Sequence, residues 1–102
     1  MPKTKAKRPE PVHVTLKVFG ALRDMHRQSQ ESVALRDEHT VRGLLVSIHA
    51  SSPELAQRIE AGLSDGYLSC LLNGRNVRFL QDLDTVLTDG DTVAFLPPIG
   101  GG

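Results

Sequence analysis

The sequence predicts an α+β domain in which helices pack on one face of a mixed sheet. Hydrophobic and polar residues alternate between Val12 and Val18, as in a strand with one buried face. Apolar residues recur at helical spacing after Thr40, and short β-prone segments follow in the second half of the chain. At 102 residues the chain has the usual length of one domain, so these elements are expected to share one core.

The first half of the chain is predicted to form two strands and the main helix. The first strand places four apolar residues on one face, namely Val12, Val14, Leu16 and Val18. Residues 32–36 repeat the alternation more briefly and predict a second strand. Thr40 is suited to cap a helix, and the apolar stripe of that helix consists of Val41, Leu44, Leu45 and Ile48. The stripe indicates that the helix faces the sheet.

A second, shorter helix is predicted to begin after Ser52, which is suited to the N-cap, with Pro53 at the first helical position. Gly62 and Gly66 are expected to weaken the end of this helix. Its apolar face consists of Leu55, Ile59 and Leu63.

A hairpin is predicted next. Residues 68–72 are strand-like and run into Asn73-Gly74, a dipeptide suited to positive φ in a tight turn. Residues 75–79 are expected to return as the following strand. Cys70 alternates in phase with the leucines on either side of it, so its thiol is expected to be buried.

The last strand is predicted at residues 92–96, with Val93 and Phe95 on one face. It follows the segment Asp89-Gly90-Asp91, which is typical of a turn, and the two carboxylates are expected to shape that turn. The order of elements is therefore strand, strand, helix, short helix and three strands.

Composition divides the chain into an arm, a domain and a tail. Residues 1–11 combine three prolines with four cations, and ordering them would cost entropy without burying apolar surface, so we expect a mobile arm. A basic docking tag is the alternative for this arm. The domain is expected to cover residues 12–96, and the tail residues 97–102.

Charge and cysteine content narrow the class of partner. Twelve basic residues balance twelve acidic ones, which argues against nucleic acid or an anionic membrane as partner and favours proteins. Cys70 is the single cysteine, so neither an internal disulfide nor a structural zinc cluster is expected, and no metal site is predicted. Without an apolar segment of membrane-spanning or signal type, a cytoplasmic protein is expected.

The end of the chain carries the most specific motif. Residues 87–102 combine an Asp-Gly-Asp turn, a hydrophobic strand, a proline pair and a terminal run of glycines, and residues 18–23 and 72–75 add two upstream matches. In these features the chain resembles the sulfur carriers related to the small subunit of molybdopterin synthase, the MoaD/ThiS family. The resemblance implies a β-grasp, ubiquitin-like fold, and Pro97-Pro98 favours the MoaD branch.

By this resemblance the reactive group is the C-terminal carboxylate of Gly102, which is adenylated and then converted to a thiocarboxylate. The sequence has no phosphate-binding glycine loop, so ATP is expected to be held elsewhere and no cofactor is expected on this chain. The resemblance implies that an E1-like adenylyltransferase holds the ATP, with Zn or Mg. A persulfide or sulfide source is expected to supply sulfur to the chain. The large subunit of molybdopterin synthase is the expected acceptor enzyme. The chain itself is expected to be a carrier and not an enzyme.

The tail is expected to enter a deep site on a partner. Six extended residues span at most about 20 Å. Two prolines favour a stiff exit from the last strand, and glycines fit a narrow channel. The residues expected to bind partners are Phe95, Leu96, Pro97, Pro98, Ile99, Gly100 and Gly101.

Several alternatives stay open at this point. The carrier could serve thiamine thiazole, cysteine, homocysteine or a thio-metabolite, or the activated Gly102 could acylate lysines as a ubiquitin-like modifier. A non-covalent binding module with an incidental glycine tail is the remaining reading. Arg75 and Arg78 could meet an acidic partner or form a solvated strand edge. Some of four apolar residues are expected to form a docking patch, namely Phe19, Phe79, Phe95 and Leu96. The four histidines are expected on the surface, namely His13, His26, His39 and His49.

Overall fold

A computed structural model describes residues 10–19 and 30–97. Two short 3-10 turns, Val77–Phe79 and Asp82–Asp84, precede the last strand. The strands and helices of these residues are β1 (Val12–Val18), β2 (Gln30–Leu35), α1 (Val41–Ser51), α2 (Pro53–Asp65), β3 (Ser69–Leu72), β4 (Arg75–Asn76) and β5 (Thr92–Leu96).

The described strands form one mixed sheet in the order β2-β1-β5-β3-β4. Strand β5 runs parallel to β1 and antiparallel to β3, and the other neighbours are antiparallel. The last strand of the chain therefore lies in the middle of the sheet, between the first strand and the hairpin. This arrangement confirms the predicted α+β class with a mixed sheet.

One face of the sheet and the two helices enclose the core. The predicted apolar stripe of α1 is buried, as is that of β1 except for Val12, which is partly buried. Val93 and Phe95 of β5 are also buried. Cys70 is also buried, which confirms the prediction for its thiol. Burial of this apolar surface is the main free-energy gain of folding. The buried cluster consists of Val14, Leu16, Val18, Leu35, Val41, Leu44, Leu45, Ile48, Leu55, Ala56, Ile59, Cys70, Val77, Leu87, Val93 and Phe95.

Helix α1 begins as predicted. The Thr40 hydroxyl accepts a hydrogen bond from the Gly43 N–H at 3.1 Å, which satisfies one of the free donors at the helix start. Helix α2 begins at Pro53, but the Ser52 side chain makes no cap bond. The predicted N-cap position of Ser52 and the predicted start of the helix at Pro53 are therefore confirmed.

Helix α2 does not weaken at Gly62. It continues to Asp65 and ends at Gly66, which has the left-handed φ of 83°. Gly62 is buried, and a Cβ there would lie 2.5 Å from Cδ1 of Leu68. Glycine is therefore used at position 62 because the helix and the chain entering β3 approach closely.

The hairpin turn is confirmed and its second strand is shorter than predicted. Asn73 and Gly74 have φ values of 50° and 89°, as a two-residue hairpin turn requires. The return strand β4 holds only Arg75 and Asn76. The Asn76 side-chain oxygen accepts a hydrogen bond from the Arg78 N–H at 2.9 Å, which caps the 3-10 turn that replaces the rest of the predicted strand.

Within residues 10–19 and 30–97, neither α1 nor α2 has the length and apolar content needed to cross a bilayer.

Candidate functional site

Strand β5 fixes the point from which the tail departs. It is paired on both sides, with Val18 opposite Phe95 in β1 and Ser69 opposite Leu96 in β3. The Phe19 N–H donates to the Phe95 carbonyl oxygen at 3.2 Å, so pairing with β1 continues to the end of β5. Pro97 follows and is exposed. The tail therefore starts from a held central strand rather than from a loop.

The rest of the tail lies outside the described residues. The predictions made for it stay predictions, and they concern Pro98, Ile99, Gly100, Gly101 and Gly102.

Phe95 is a core residue, which corrects its assignment as a partner-binding residue. Its side chain has no exposed surface, and it lies opposite Cys70 on the helix side of the sheet. The alternation of β5 places Val93 and Phe95 on that same face. A partner therefore cannot reach Phe95 without opening the core.

Leu96 points to the other face of the sheet, since successive side chains of a strand alternate. Ala94 shares that face, with Lys17 opposite it in β1 and Leu71 opposite it in β3. These side chains are half-buried. Phe19 follows β1 on the same face and is 42% exposed. We call this surface the outer-face patch, and its residues are Lys17, Phe19, Leu71, Ala94 and Leu96.

The outer-face patch combines apolar surface with one cation, beside the root of the tail. Docking surfaces commonly have an apolar centre with charge at the rim. The sequence alone predicts Phe19 and Leu96 as candidates for such a patch, but not Lys17, Leu71 or Ala94. The alternation in β1 already places Lys17 on the polar face of its strand. Which residues of other strands lie beside Lys17 depends on the order and register of the strands. Only the folded sheet brings these residues together.

Phe79 does not belong to the outer-face patch. It is 85% exposed and lies in the 3-10 turn after β4, at the sheet edge farthest from β2. Arg75 and Arg78 are exposed near that edge. Of the four apolar candidates, Phe19 and Leu96 therefore lie on the outer-face patch, whereas Phe79 lies apart from it and Phe95 lies in the core.

Cys70 is unsuited to carry sulfur. Only 1% of its surface is exposed, and burial raises the pKa of its thiol to about 12. The thiolate, which is the nucleophilic form, is therefore scarce at neutral pH. Cys70 packs in the core as a small apolar side chain.

Asp89 and Asp91 hold the turn before β5, at the end of that strand opposite the tail. The Asp89 carboxylate accepts from the His13 N–H at 2.9 Å, and the Gly90 N–H donates to the His13 carbonyl at 2.8 Å. Asp91 accepts from the N–H and the hydroxyl of Thr88 at 2.8 and 3.1 Å. These bonds give the Asp-Gly-Asp motif a structural role, as predicted.

The described histidines are scattered. His13 and His49 are exposed as predicted, whereas His39 is only partly exposed and its Nε2 is buried. His26 lies outside the described residues. Within residues 10–19 and 30–97, no group of three or more His, Cys, Asp or Glu side chains is placed to hold a metal ion.

Comparison with known proteins places this geometry in a family. The model of the ThiS family matches residues 16–102. Small archaeal modifier protein 3 from Haloferax volcanii is 35% identical over 92 residues, covering 89% of this chain and all of that protein. Two proteins of Mycobacterium tuberculosis, the sulfur carrier protein CysO and a molybdopterin synthase sulfur carrier subunit, are each 28% identical over 95 residues. Those alignments cover 89% of this chain and 100% and 99% of the two proteins.

The fold has a solved counterpart in small archaeal modifier protein 1 from Methanosarcina acetivorans, with a TM-score of 0.73 and 29% identity. The alignment covers 92% of this chain and all of that one. It confirms the β-grasp, ubiquitin-like fold. The relatives are small carrier or modifier proteins, so this chain is a protein of that kind and not an enzyme. The family model, the relatives and the fold together show that the chain belongs to the ThiS family of ubiquitin-like sulfur carriers.

Proposed function

We propose that the C-terminal carboxyl group of Gly102 carries sulfur between partner enzymes. The observation that carries this proposal is the position of β5: a central strand, paired on both sides, that ends at an exposed Pro97 beside an apolar patch. Because the end of β5 is paired on both sides, it holds the start of the tail in one direction while the domain docks. The sequence then supplies five further residues, ending in three glycines.

The proposed chemistry begins with activation, because a carboxylate is a poor acyl donor at neutral pH. A Gly102 carboxylate oxygen attacks the α-phosphorus of ATP and releases pyrophosphate. Hydrosulfide then attacks the acyl-adenylate carbon, AMP leaves, and the lost proton goes to solvent. The product is a thiocarboxylate that donates its sulfur to an acceptor. ATP, with Zn or Mg, is held on the E1-like adenylyltransferase.

The tail is suited to a narrow partner site. Six residues from Pro97 reach at most about 20 Å when extended. Pro97 and Pro98 favour an extended exit, and the glycines lack a Cβ that would crowd the reacting carbonyl. The partner therefore has to supply the acid, base and nucleotide site.

The outer-face patch is the proposed docking surface for the adenylyltransferase. Leu96 and Phe19 lie next to the tail root, and Leu71 and Ala94 form the adjoining row. A partner seated on this patch holds the domain while the tail enters the active site. Lys17 places a cation at the rim, so an acidic residue on the partner is expected opposite it.

Molybdopterin is the proposed sulfur acceptor pathway, with the large synthase subunit as the acceptor enzyme. The Pro97-Pro98 pair and the similarity to a molybdopterin synthase sulfur carrier subunit support it. The equal similarity to CysO supports sulfur delivery toward cysteine as the competing assignment. Thiocarboxylated chain, incubated separately with each type of acceptor enzyme, is expected to be consumed by the molybdopterin synthase subunit. Consumption only by a cysteine-forming enzyme would reassign the pathway.

A ubiquitin-like modifier is the second candidate, because the relative at 35% identity is named a modifier protein. In that reaction a lysine amine attacks the activated Gly102 carbonyl and an amide forms. Peptides that carry remnant glycines on target lysines identify it by mass spectrometry.

Intact mass spectrometry tests the carrier proposal. The chain is purified from its host, or incubated with ATP, sulfide and an adenylating partner. The expected species has sulfur in place of one oxygen of the Gly102 carboxyl. A variant extended by one alanine past Gly102 should fold normally and form none. Complete absence of this species with an active partner present would contradict the proposal.

A further inference from the structure

Among the described strands, β2 lies at an edge of the sheet and has backbone groups directed away from the sheet. In β1, the Thr15 N–H donates to Asp91 and the His13 carbonyl accepts from Gly90, so these residues bond toward β5. Their neighbours Val14 and Leu16 therefore bond on the other side, toward β2. The direction of bonding in β1 fixes the direction in β2.

The antiparallel register pairs Val14 with Val33 and Leu16 with Glu31. Because bonding direction alternates along a strand, the N–H and C=O groups of Ser32 and Ala34 point away from β1. Among the described strands, the opposite edge is β4, which has only two residues. Strand β2 is therefore the one described edge long enough to pair with several residues of another chain.

A groove runs beside this edge, between β2 and α1. It consists of two adjoining cavities of about 220 and 320 Å³ that share Ala34 and Ser47. Leu16, Ile48 and Leu55 form the floor of the first cavity. Leu35 and Val46 line the second, and Val46 is 64% exposed. The groove has room for apolar side chains that alternate along an added strand.

Acidic side chains predominate at the end of the groove that follows β2. Asp37 and Glu38 lie there with Arg36. Two carboxylates against one guanidinium favour an occupant with a cation at that end. The acidic character of the groove distinguishes it from the outer-face patch, whose charged residue is the cation Lys17.

We propose that β2 accepts an extended segment of a partner protein as an additional antiparallel strand. The segment has apolar residues at alternate positions, which enter the groove, and Lys or Arg at its N-terminal end, which lies beside Asp37 and Glu38. Strand β1 separates β2 from β5, so the occupant leaves the tail root clear. A partner can then hold the protein while the tail is engaged elsewhere.

The test uses the full chain and a synthetic heptapeptide in which two N-terminal lysines precede three valines separated by threonines. Backbone amide NMR is recorded during titration to about millimolar peptide. The largest shifts are expected at Ser32 and Ala34, with smaller ones at Val46 and Ser47. A peptide with glutamates in place of the lysines should bind about fivefold more weakly, and the difference should shrink in high salt.

Two pairs of variants separate backbone pairing from general damage. Ser32→Pro removes an N–H that points outward and should weaken binding about tenfold, whereas Ser32→Ala should leave it unchanged. Val46→Lys should weaken binding by a similar factor, and Val86→Lys, at a site 61% exposed outside the groove, should not. Thermal unfolding checks that each variant is folded.

The proposal is overturned if the valine peptide shifts no amide of β2, or if Ser32→Pro folds and binds as tightly as the unmodified chain. It is also overturned if the β2 amides shift with protein concentration alone, since the occupant is then a second copy. Shifts confined to Lys17, Leu71 and Leu96 would assign the peptide to the outer-face patch and likewise reject the edge.

Discussion

The side-chain amide of Asn73 donates a hydrogen bond to a carboxylate oxygen of Asp91 at 3.0 Å. The side-chain oxygen of Asn73 accepts a hydrogen bond from the Thr92 N–H at 2.9 Å. The backbone N–H of Asn73 donates to the Thr92 carbonyl oxygen at 2.8 Å. One residue therefore joins the β3–β4 hairpin to the turn that starts β5. Because β5 carries the tail, the two turn motifs together fix the strand on which the proposed function depends.

Removing the Asn73 side chain is expected to destabilise the domain. Asn73→Gly keeps the positive φ accessible but loses both side-chain bonds, and it should lower the free energy of unfolding by about 1 kcal/mol. Asn73→Ala should cost roughly 1 kcal/mol more, because alanine is disfavoured at φ 50°. Urea unfolding measures both changes. Equal stability of Asn73→Gly and the unmodified chain would show that the bonds contribute nothing.

Asp91 is expected to make stability depend on pH in the acid range. Partial burial raises the pKa of Asp91, but the hydrogen bonds from Thr88 and Asn73 outweigh it and hold the pKa below its ordinary value. A lowered folded-state pKa means that the contribution is complete above the ordinary pKa of aspartate and is lost as pH falls through the lowered value. Asp91→Asn should flatten this part of the stability curve below about pH 4. Urea unfolding at a series of acidic and neutral pH values measures the curve, and an unchanged curve in Asp91→Asn would show that Asp91 does not contribute to it.

Gly43 and Gly62 are expected to differ in their tolerance of alanine. A Cβ at Gly43 would overlap the backbone carbonyl of Glu38, whereas one at Gly62 would meet the side chain of Leu68. Backbone yields less than the end of a side chain, so Gly43→Ala should cost about 3 kcal/mol and Gly62→Ala about 1 kcal/mol. Urea unfolding under the same conditions compares them. A larger loss at Gly62 would contradict the described approach of α1 to Glu38.

Local conformational requirements explain which elements the sequence could predict. The hairpin turn requires positive φ at two consecutive residues, and few dipeptides adopt it as readily as Asn73-Gly74, so the sequence predicts the turn. The sequence predicts β1 and α1 because each buries one face in the core, which gives their apolar residues a regular spacing. The predicted strand at residues 75–79 failed because the Asn76 side chain caps the Arg78 N–H and turns the chain after two residues.

Features that depend on contact between elements distant in the sequence could not be predicted from the sequence. Gly62 is required by its approach to Leu68, which follows only after α2 has turned back into β3. The outer-face patch depends on strand order, since Lys17 and Leu71 lie on either side of Ala94 in the neighbouring strands. Phe95 is a different case. Its alternation with Val93 already indicated a core position, and its assignment to partner binding overlooked that pattern.

Leu71 is expected to matter for activation by the adenylating partner without supporting the fold as strongly as a core residue. It is half-buried on the outer-face patch, so Leu71→Glu should remove apolar contact and place an anion near Lys17. The expected result is a rise of about tenfold or more in the KM of the adenylyltransferase for this chain, with little change in kcat. ATP–pyrophosphate exchange measures both constants.

Val86→Glu provides the matched control for Leu71→Glu, because Val86 is exposed and does not belong to the outer-face patch. It should leave the KM unchanged. Circular dichroism and thermal unfolding establish that both variants are folded. If a folded Leu71→Glu chain is adenylated with the KM of the unmodified chain, the partner docks on another surface.

Variants of Cys70 are expected to change the stability of the domain without changing the formation of the Gly102 thiocarboxylate. Its thiol is buried and burial raises its pKa to about 12, so it cannot serve as the nucleophile that receives sulfur. Cys70→Ala should leave a small cavity and lower the free energy of unfolding by about 1 kcal/mol, yet the amount of Gly102 thiocarboxylate per folded molecule should not change. Cys70→Ser should be less stable than Cys70→Ala, because it buries a hydroxyl among apolar neighbours. Loss of the thiocarboxylate in a folded Cys70→Ala chain would instead assign the thiol a part in sulfur transfer.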